Sequence, residues 1–319
     1  MPRIFAYIVH KAGVADDSSA ELIAAAAKID AASPVAVVTG WGADLDAVCE
    51  SVRASYAEVW KIGSEALAYP DAELVRQALV NVLPPASIVL LPHAHFAVDL
   101  APGLSIKMNA AYAPDVIGID GVAAAALKLV RQEFGGQVNT HVRCDISSGA
   151  VLTIRPGAFK PIENAAASGQ IVDKSLLAGA LTSRRRYLET IAAETGDVDI
   201  TKYAALVSVG RGIQEHDNVS LAQDLADAMG AAVSCSRPVV DAKWMEKSRQ
   251  VGSSGQTVKP KVYLACGISG SFQHLAGIKG NPFIVAINKN PKAPIFRVAD
   301  VGIVAGSAAA SDLPAIGNR

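Results

Sequence analysis

Short apolar runs alternate with amphipathic stretches through the first half of this chain. Ile4–Val9 predicts a buried strand. Ser18 stands three residues before Glu21, the spacing of a capping box, ahead of the helical run Leu22–Ile29. Val35–Thr39 predicts a second strand. Asp71, after Pro70, opens a helix that places Leu74, Val75, Ala78, Leu79 and Val82 on one face. Ser87–Leu91 and Asp115–Ile119 predict a third and a fourth strand. This alternation implies a parallel α/β sheet. The pattern then changes. Leu127–Glu133, Gln137–Arg143 and Val151–Arg155 are strand-like runs joined by Gly135-Gly136 and Ser147-Ser148-Gly149. Short runs joined by such turns favour antiparallel pairing, so a meander added to the first domain is expected.

From Ser183 to Asp199 no strand pattern is sustained. The segment carries Arg184-Arg185-Arg186, Glu189, Glu194 and Asp197, and a charge run of this kind is usually just a solvated face. It is the expected boundary between an N-terminal domain over 1–190 and a C-terminal domain over 195–319, whose α/β pattern starts near Thr201. There, apolar runs end repeatedly in glycine or polar turns. Ala205–Val209 leads into Gly210-Arg211-Gly212, and Ala231–Ser234 into Ser236-Arg237. Val262–Ala265 leads into Gly267-Ile268-Ser269-Gly270, and Phe283–Ile287 into Asn288-Lys289. The fold class is therefore α/β: two domains, each around a mostly parallel sheet, the second doubly wound. In such a sheet all strand ends face one edge, where ligands bind. Arginines, glycines, serines and an asparagine collected there suit a large anionic ligand with a pyrophosphate.

Composition narrows the classes. With 29 basic against 30 acidic residues the net charge is −1, against the basic excess of nucleic-acid binders. A hydrophobic content of 51% and a mean hydropathy of +0.29 fit a generous core, much of it alanine. No apolar run reaches a membrane span, and Met1–Tyr7 looks like a first strand rather than a signal peptide. Cys49, Cys144, Cys235 and Cys266 form no CxxC pair, the pattern of reduced thiols in a cytoplasmic protein without a zinc or iron–sulfur site. Neither a Gly-x-Ser-x-Gly elbow nor an HExxH motif is present, which disfavours a hydrolase.

Taken alone, each candidate has a plain reading beside the functional one. Gly-Arg-Gly is a tight turn with an exposed arginine, or a phosphate contact in which glycine allows close approach and Arg211 pairs the oxygens. Ser236-Arg237 is a surface pair or a ligand contact. Gln250-Val251-Gly252-Ser253-Ser254-Gly255 is a Gly/Ser linker or a flexible loop that wraps a ligand. Gly267–Gly270 leads into a helix holding Gln273 and His274, whose first N–H groups can bind phosphate. His274 is a satisfied core residue or a ligand contact. Asp300 is a turn cap or part of the site, the two weighted evenly.

The run Val262-Tyr-Leu-Ala-Cys-Gly-Ile-Ser-Gly-Ser-Phe-Gln-His-Leu-Ala-Gly277, with Ile284–Lys289 and Ala293–Asp300, resembles the electron-transfer flavoprotein alpha subunit. Gly210-Arg211-Gly212, Ser236-Arg237 and Gln250-Val251-Gly252 stand in the family's order and spacing. The N-terminal half is similar more loosely, including Arg155–Phe159. The resemblance implies one FAD, held mostly by the C-terminal domain. It puts Arg211 at the FAD, the Arg237 guanidinium over the flavin ring and the Ser254 hydroxyl opposite flavin N5. It also puts His274 against flavin O2, stabilising an anionic semiquinone, and Asn288 near the adenosine. Two departures are visible. Ser253 replaces a usual glutamine, and Gly306 replaces the usual aspartate before an altered tail in which Asp312 is a candidate substitute.

By the same resemblance the partners are a beta subunit, contacted by the N-terminal domain, an acyl-CoA dehydrogenase-type donor of fatty acid beta-oxidation, and a quinone-linked oxidoreductase as acceptor. The chain would be an electron carrier rather than an enzyme with its own substrate. Two alternatives remain open. One is an NADH-dependent bifurcating flavoprotein, marked by two FAD per heterodimer. The other is a non-redox nucleotide-binding module.

Overall fold

The computed structural model describes residues 2–30, 33–134, 138–162, 168–190 and 198–305. The Gly135-Gly136 turn, Glu194 and Asp197, and the tail from Gly306 with Asp312 lie outside the described residues. The chain divides into two compact units, 1–189 and 190–319.

The first unit is built on strands β1 (Ile4–Tyr7), β4 (Val35–Gly40), β5 (Glu58–Gly63), β6 (Ile88–Pro92), β7 (Ala111–Ala123), β8 (Ala126–Glu133), β9 (Val138–Asp145), β10 (Ala150–Ile154) and β11 (Gln170–Asp173). A small antiparallel ribbon, β2 (His10–Lys11) with β3 (Val14–Ala15), stands apart from them. The nine-stranded sheet runs β11-β5-β4-β1-β6-β10-β7-β8-β9. Only the β7-β8-β9 end is antiparallel. The third run assigned to the meander, β10, instead inserts between β6 and β7, parallel to both. Its five residues are all buried, as a central parallel strand requires. Strands buried on both faces carry no period-2 signal, so spacing alone could not place it.

Helices α1 (Ser18–Ala27), α2 (Gly42–Val52), α3 (Ala72–Val82), α4 (His95–Met108) and α5 (Ser175–Ala178) complete the unit. Two apolar clusters fill it. One holds Ile4, Ala6, Val38 and Leu90, and the other Phe5, Val37, Val89 and Leu91; the alternation along each strand separates the two faces. Asp71 caps α3 as expected, accepting from Glu73 N–H at 2.7 Å and Leu74 N–H at 3.3 Å. Ser18 does not cap α1. It is the first helical residue, and its N–H donates to Asp16 Oδ1 at 2.9 Å, while Glu21 accepts from Gly157 N–H at 2.6 Å.

One polar cluster sits at the carboxyl ends of β6 and β10. Arg155 donates from Nε to Asp115 Oδ1 at 2.8 Å and from Nη2 to Oδ2 at 2.6 Å, and Nη1 reaches Gln132 Oε1. Thr153 Oγ accepts from Asp115 N–H at 2.9 Å and lies 2.8 Å from His93 Nδ1. Burial pushes the Asp115 carboxyl up, but the Arg155 hydrogen bonds and charge outweigh it and the net shift is downward.

The second unit has β12 (Ala205–Val209), α6 (Val219–Met229), β13 (Ala232–Cys235), α7 (Arg237–Asp241), β14 (Val262–Cys266), α8 (Phe272–Leu275), β15 (Phe283–Ile287) and β16 (Val301–Ile303). All five strands are parallel, in the order β13-β12-β14-β15-β16. Leu206, Tyr263, Ala265 and Ala286 pack one core; Val207, Val209, Val233 and Cys235 pack the other. The chain leaves β12 to one side and returns to its other side as β14. That reversal is the topological switch point of the sheet, the place on its carboxyl edge where ligands bind in such folds.

Candidate functional site

The turns after β12 and β14 meet at this reversal. Gly210 N–H donates to Cys266 O at 2.8 Å, and Gly212 N–H to Gly267 O at 3.0 Å. A Cβ on Gly210 would lie 2.3 Å from Gly267 O, and one on Gly267 2.7 Å from Gly212 C. These glycines are therefore small because the turns press on each other, rather than to admit a phosphate directly. Arg211, between the glycines of the first turn, is exposed, and its guanidinium has no hydrogen bond or ion pair among the described residues.

Ser236 follows β13, buried, with its N–H on Val209 O at 2.9 Å. Arg237 is the first residue of α7, ahead of Pro238. Its side chain is 68% exposed, and its contact with Asp241 is 3.5 Å long. Exposed pairs of that length contribute little, so the guanidinium is available to a ligand.

The 250–256 segment is not the flexible loop expected from its glycines and serines. Val251 N–H donates to Cys235 O at 2.8 Å, Ser253 N–H to Gln273 O at 2.7 Å and Gln256 N–H to Gln250 O at 2.6 Å. Backbone bonds to β13 and to α8 thus pin it on two sides. Gly252 has φ of +142°, and a Cβ there would lie 2.9 Å from Gln273 O. The buried Gln250 donates from Nε2 to the Ser254 hydroxyl at 2.9 Å. Ser254 Oγ accepts that bond and keeps its own hydrogen for a ligand. Ser253 and Ser254 are both exposed.

After β14, Gly267 N–H donates to Ile287 O, and the buried Ile268 offers its carbonyl to Asn288 Nδ2 at 2.8 Å. Ser269 is exposed and Gly270 is buried. The helix expected to bind phosphate, α8, is one turn of four residues. So short a helix carries little macrodipole to hold an anion. Gln273 is exposed. His274 is 5% exposed, with Nε2 2.9 Å from the Tyr263 hydroxyl. Its Nδ1 is buried and makes no hydrogen bond of ordinary length and angle. Burial pushes the His274 pKa down to about 4, against a contact with the Val251 backbone that raises it. The ring is neutral at neutral pH.

Two candidates have other duties. Asn288 Oδ1 accepts from Asn290 N–H at 2.9 Å while Nδ2 holds Ile268, so its amide clips two loops together. Asp300 Oδ2 accepts from Ile284 N–H at 2.8 Å. Ile284 stands at the amino end of β15, roughly 10 Å of strand from the carboxyl edge. Of its two readings, the geometry gives Asp300 the turn cap and separates it from the other candidates.

Sequence reasoning missed Tyr263, Ser208 and Ser234. All three are buried mid-strand residues on one face, and only the pairing of Ser208 with Ser234 and Ala265 brings them together. The edge as built offers two exposed guanidiniums, exposed serine hydroxyls and one buried, unpartnered imidazole nitrogen. That donor set fits a dinucleotide with a pyrophosphate and a carbonyl-bearing ring. Among the described residues no group of three or more His, Cys, Asp or Glu side chains is placed to hold a metal.

Comparisons with known proteins agree in kind. A family model described as an electron transfer flavoprotein domain matches residues 4–178, and one described as an electron transfer flavoprotein FAD-binding domain matches residues 199–279. The electron transfer flavoprotein subunit alpha of Methylophilus methylotrophus is 38% identical over 311 residues, 96% of this chain and 95% of that protein. A probable mitochondrial electron transfer flavoprotein subunit alpha of Cryptococcus neoformans var. grubii is 32% identical over 93% of this chain and 86% of its own length. Protein FixB of Clostridium saccharobutylicum is 36% identical over 65% of this chain and 62% of its own length.

Proposed function

The chain belongs to the electron-transfer flavoprotein alpha-subunit family and binds FAD, and from that premise we propose that the carboxyl edge of its second sheet holds the flavin. Arg211 pairs the pyrophosphate. Arg237 lies over the ring, where a fixed positive charge favours the reduced, anionic form. Ser254, steadied by Gln250, offers its hydroxyl to N5, and His274 Nδ1 offers a hydrogen to the O2 carbonyl. Ser236, Val251, Gly252, Ser253, Gly267, Ile268, Ser269, Gly270 and Gln273 form the walls, and Asn288 braces them. When bound, FAD supplies the redox chemistry; the protein sets its potentials and shields it.

The observation that carries this reading is the buried His274 nitrogen without a protein partner, on the same edge as two exposed arginines. A buried polar atom left unbonded costs about 1–3 kcal/mol, so a ligand acceptor is the natural occupant.

The 1–190 unit contacts a beta subunit in this proposal. Electrons arrive from an acyl-CoA dehydrogenase-type flavoenzyme and leave to a quinone-linked oxidoreductase. The buried cysteines, none of them in a disulfide, accord with a reducing cytoplasm, and no helix among the described residues is long and apolar enough to cross a membrane. The test is to mix the chain, co-purified with its beta subunit, with an acyl-CoA dehydrogenase reduced by its own substrate. Bleaching of the carrier's flavin within seconds supports the donor assignment. A flavin that dithionite reduces but such dehydrogenases leave oxidised refutes it.

A further inference from the structure

We propose that Gln250 is a positioning residue that fixes the Ser254 hydroxyl as a one-way donor, so that the site favours a bare flavin N5 over a protonated one. The inference deepens the site reading given above and rests on its placement of Ser254 at N5.

Gly255 N–H donates to Gly252 O at 3.0 Å, closing a turn with Ser253 and Ser254 at its centre. The turn fixes where Ser254 stands, but a serine hydroxyl still rotates to suit its neighbours. Gln250 takes that freedom away. Its Nε2 donates to Ser254 Oγ at 2.9 Å. An amide nitrogen has hydrogens to give and no lone pair with which to receive one. Ser254 Oγ therefore accepts, and its single hydrogen points away from Gln250. The glutamine itself has little room to move. It is 4% exposed, and a Cβ on Gly255 would lie 2.9 Å from its Cγ. Its main chain is held on both sides, N–H on Lys247 O at 3.1 Å and C=O under Gln256 N–H at 2.6 Å.

Stability does not account for this arrangement. Ser254 is exposed, so water would serve its oxygen nearly as well. Burying a glutamine, by contrast, costs side-chain entropy and the desolvation of its amide. What the buried amide adds is a direction.

That direction bears on the two stages of flavin reduction. The first stage adds one electron and no proton at N5, which then accepts a hydrogen bond more strongly. The second adds one electron and one proton, and the proton bonds to N5, turning an acceptor into a donor. A hydroxyl whose hydrogen is aimed outward supports the first stage and opposes the second. Released from Gln250, the same hydroxyl turns and serves either.

Two measurements on the chain co-purified with its beta subunit test this. The first follows hydrogen exchange of the Gln250 side-chain amide by NMR, with 15N-glutamine labelling and Gln250→Met to assign the signal. Exchange should be slow in the unaltered protein and faster in Ser254→Ala. An amide that ignores Ser254→Ala overturns the proposal, whether or not the methionine variant folds. The second is a stepwise reductive titration. Gln250→Met should make the first stage harder and the second easier. The gap between them should narrow by about tenfold, the worth of one hydrogen bond to a charged group. In a Ser254→Ala background the same substitution should change nothing further, because Gln250 acts through the hydroxyl. An equal effect in both backgrounds marks a packing role and overturns the proposal. So does a Gln250→Met variant that titrates like the parent while Ser254→Ala does not. If Ser254→Ala itself leaves both stages unmoved, the placement of the hydroxyl at N5 falls and takes the proposal with it.

Discussion

Each unit carries a polar cluster at the carboxyl ends of parallel strands, and the two are finished differently. In the first unit Arg155, Asp115, Gln132, Thr153 and His93 close on one another. Arginine meets carboxylate through two bonds, and the threonine hydroxyl serves both a backbone N–H and an imidazole. In the second unit the chain Ser208–Tyr263–His274 ends on an unpartnered nitrogen, in a sheet whose strand ends also carry exposed arginines. A closed cluster holds a fold together. An open one leaves bonding capacity for something that is not protein. Position on the sheet edge does not distinguish them; the state of the last donor or acceptor does.

The difference can be broken from either side. The largest effect is expected from Arg237→Ala. A unit charge a few ångström from the flavin is worth a few kcal/mol at a surface-like dielectric. The midpoint potential should fall enough to move the equilibrium with a fixed donor by roughly tenfold to a hundredfold, as measured by redox titration. Because the side chain is 68% exposed, fold stability should change by less than about 0.5 kcal/mol. A potential that stays or rises removes the stacked cation.

His274→Gln comes next. The His274 pKa is about 4 in the folded chain, below the ordinary value of about 6.5. The unfolded chain therefore binds a proton first as pH falls. The histidine's contribution is fully present above about pH 6.5 and is lost progressively down to pH 4, by up to about 3 kcal/mol. Denaturant titrations at pH 7 and 4.5 should show a smaller acid loss in the glutamine variant. An equal loss would mean that the histidine is not the acid-sensitive group.

Gly252→Ala should cost roughly 1–3 kcal/mol in the pinned loop, from its positive φ and the close Gln273 carbonyl. FAD retention on dialysis is the readout, with unchanged retention counting against the loop's role.

The smallest effect is on the closed cluster. Asp115→Asn should cost about 1–2 kcal/mol, because the pair is only partly buried. The carboxylate's downward shift means that its contribution holds above the ordinary carboxylate range and fades as pH falls below it. The flavin potential should not move; a shift would deny the separation of roles.

Local chemistry was the legible part of the sequence. Asp71 announces its helix, and the strand ends at Val209, Cys235, Cys266 and Ile287 deliver their polar turns to one edge. Pairing was not legible. The buried β10 reads like any apolar run, and its place between β6 and β7 depends on partners about 60 and about 40 residues earlier in the chain. For the same reason Tyr263 passed as a core aromatic. Its meaning comes from Ser208, 55 residues earlier. Asp300 was undecided because a cap and a ligand contact call for the same carboxylate, and only the strand end beneath it separates them.

A stepwise reductive titration of the chain with its beta subunit, followed by absorption, tests the central claim most directly. The account predicts flavin bands in the purified protein and reduction in two resolved one-electron stages. In His274→Gln the first stage should become harder, with FAD content unchanged. A protein that takes up FAD and is reduced in a single two-electron step, with that variant behaving like the parent, would contradict it.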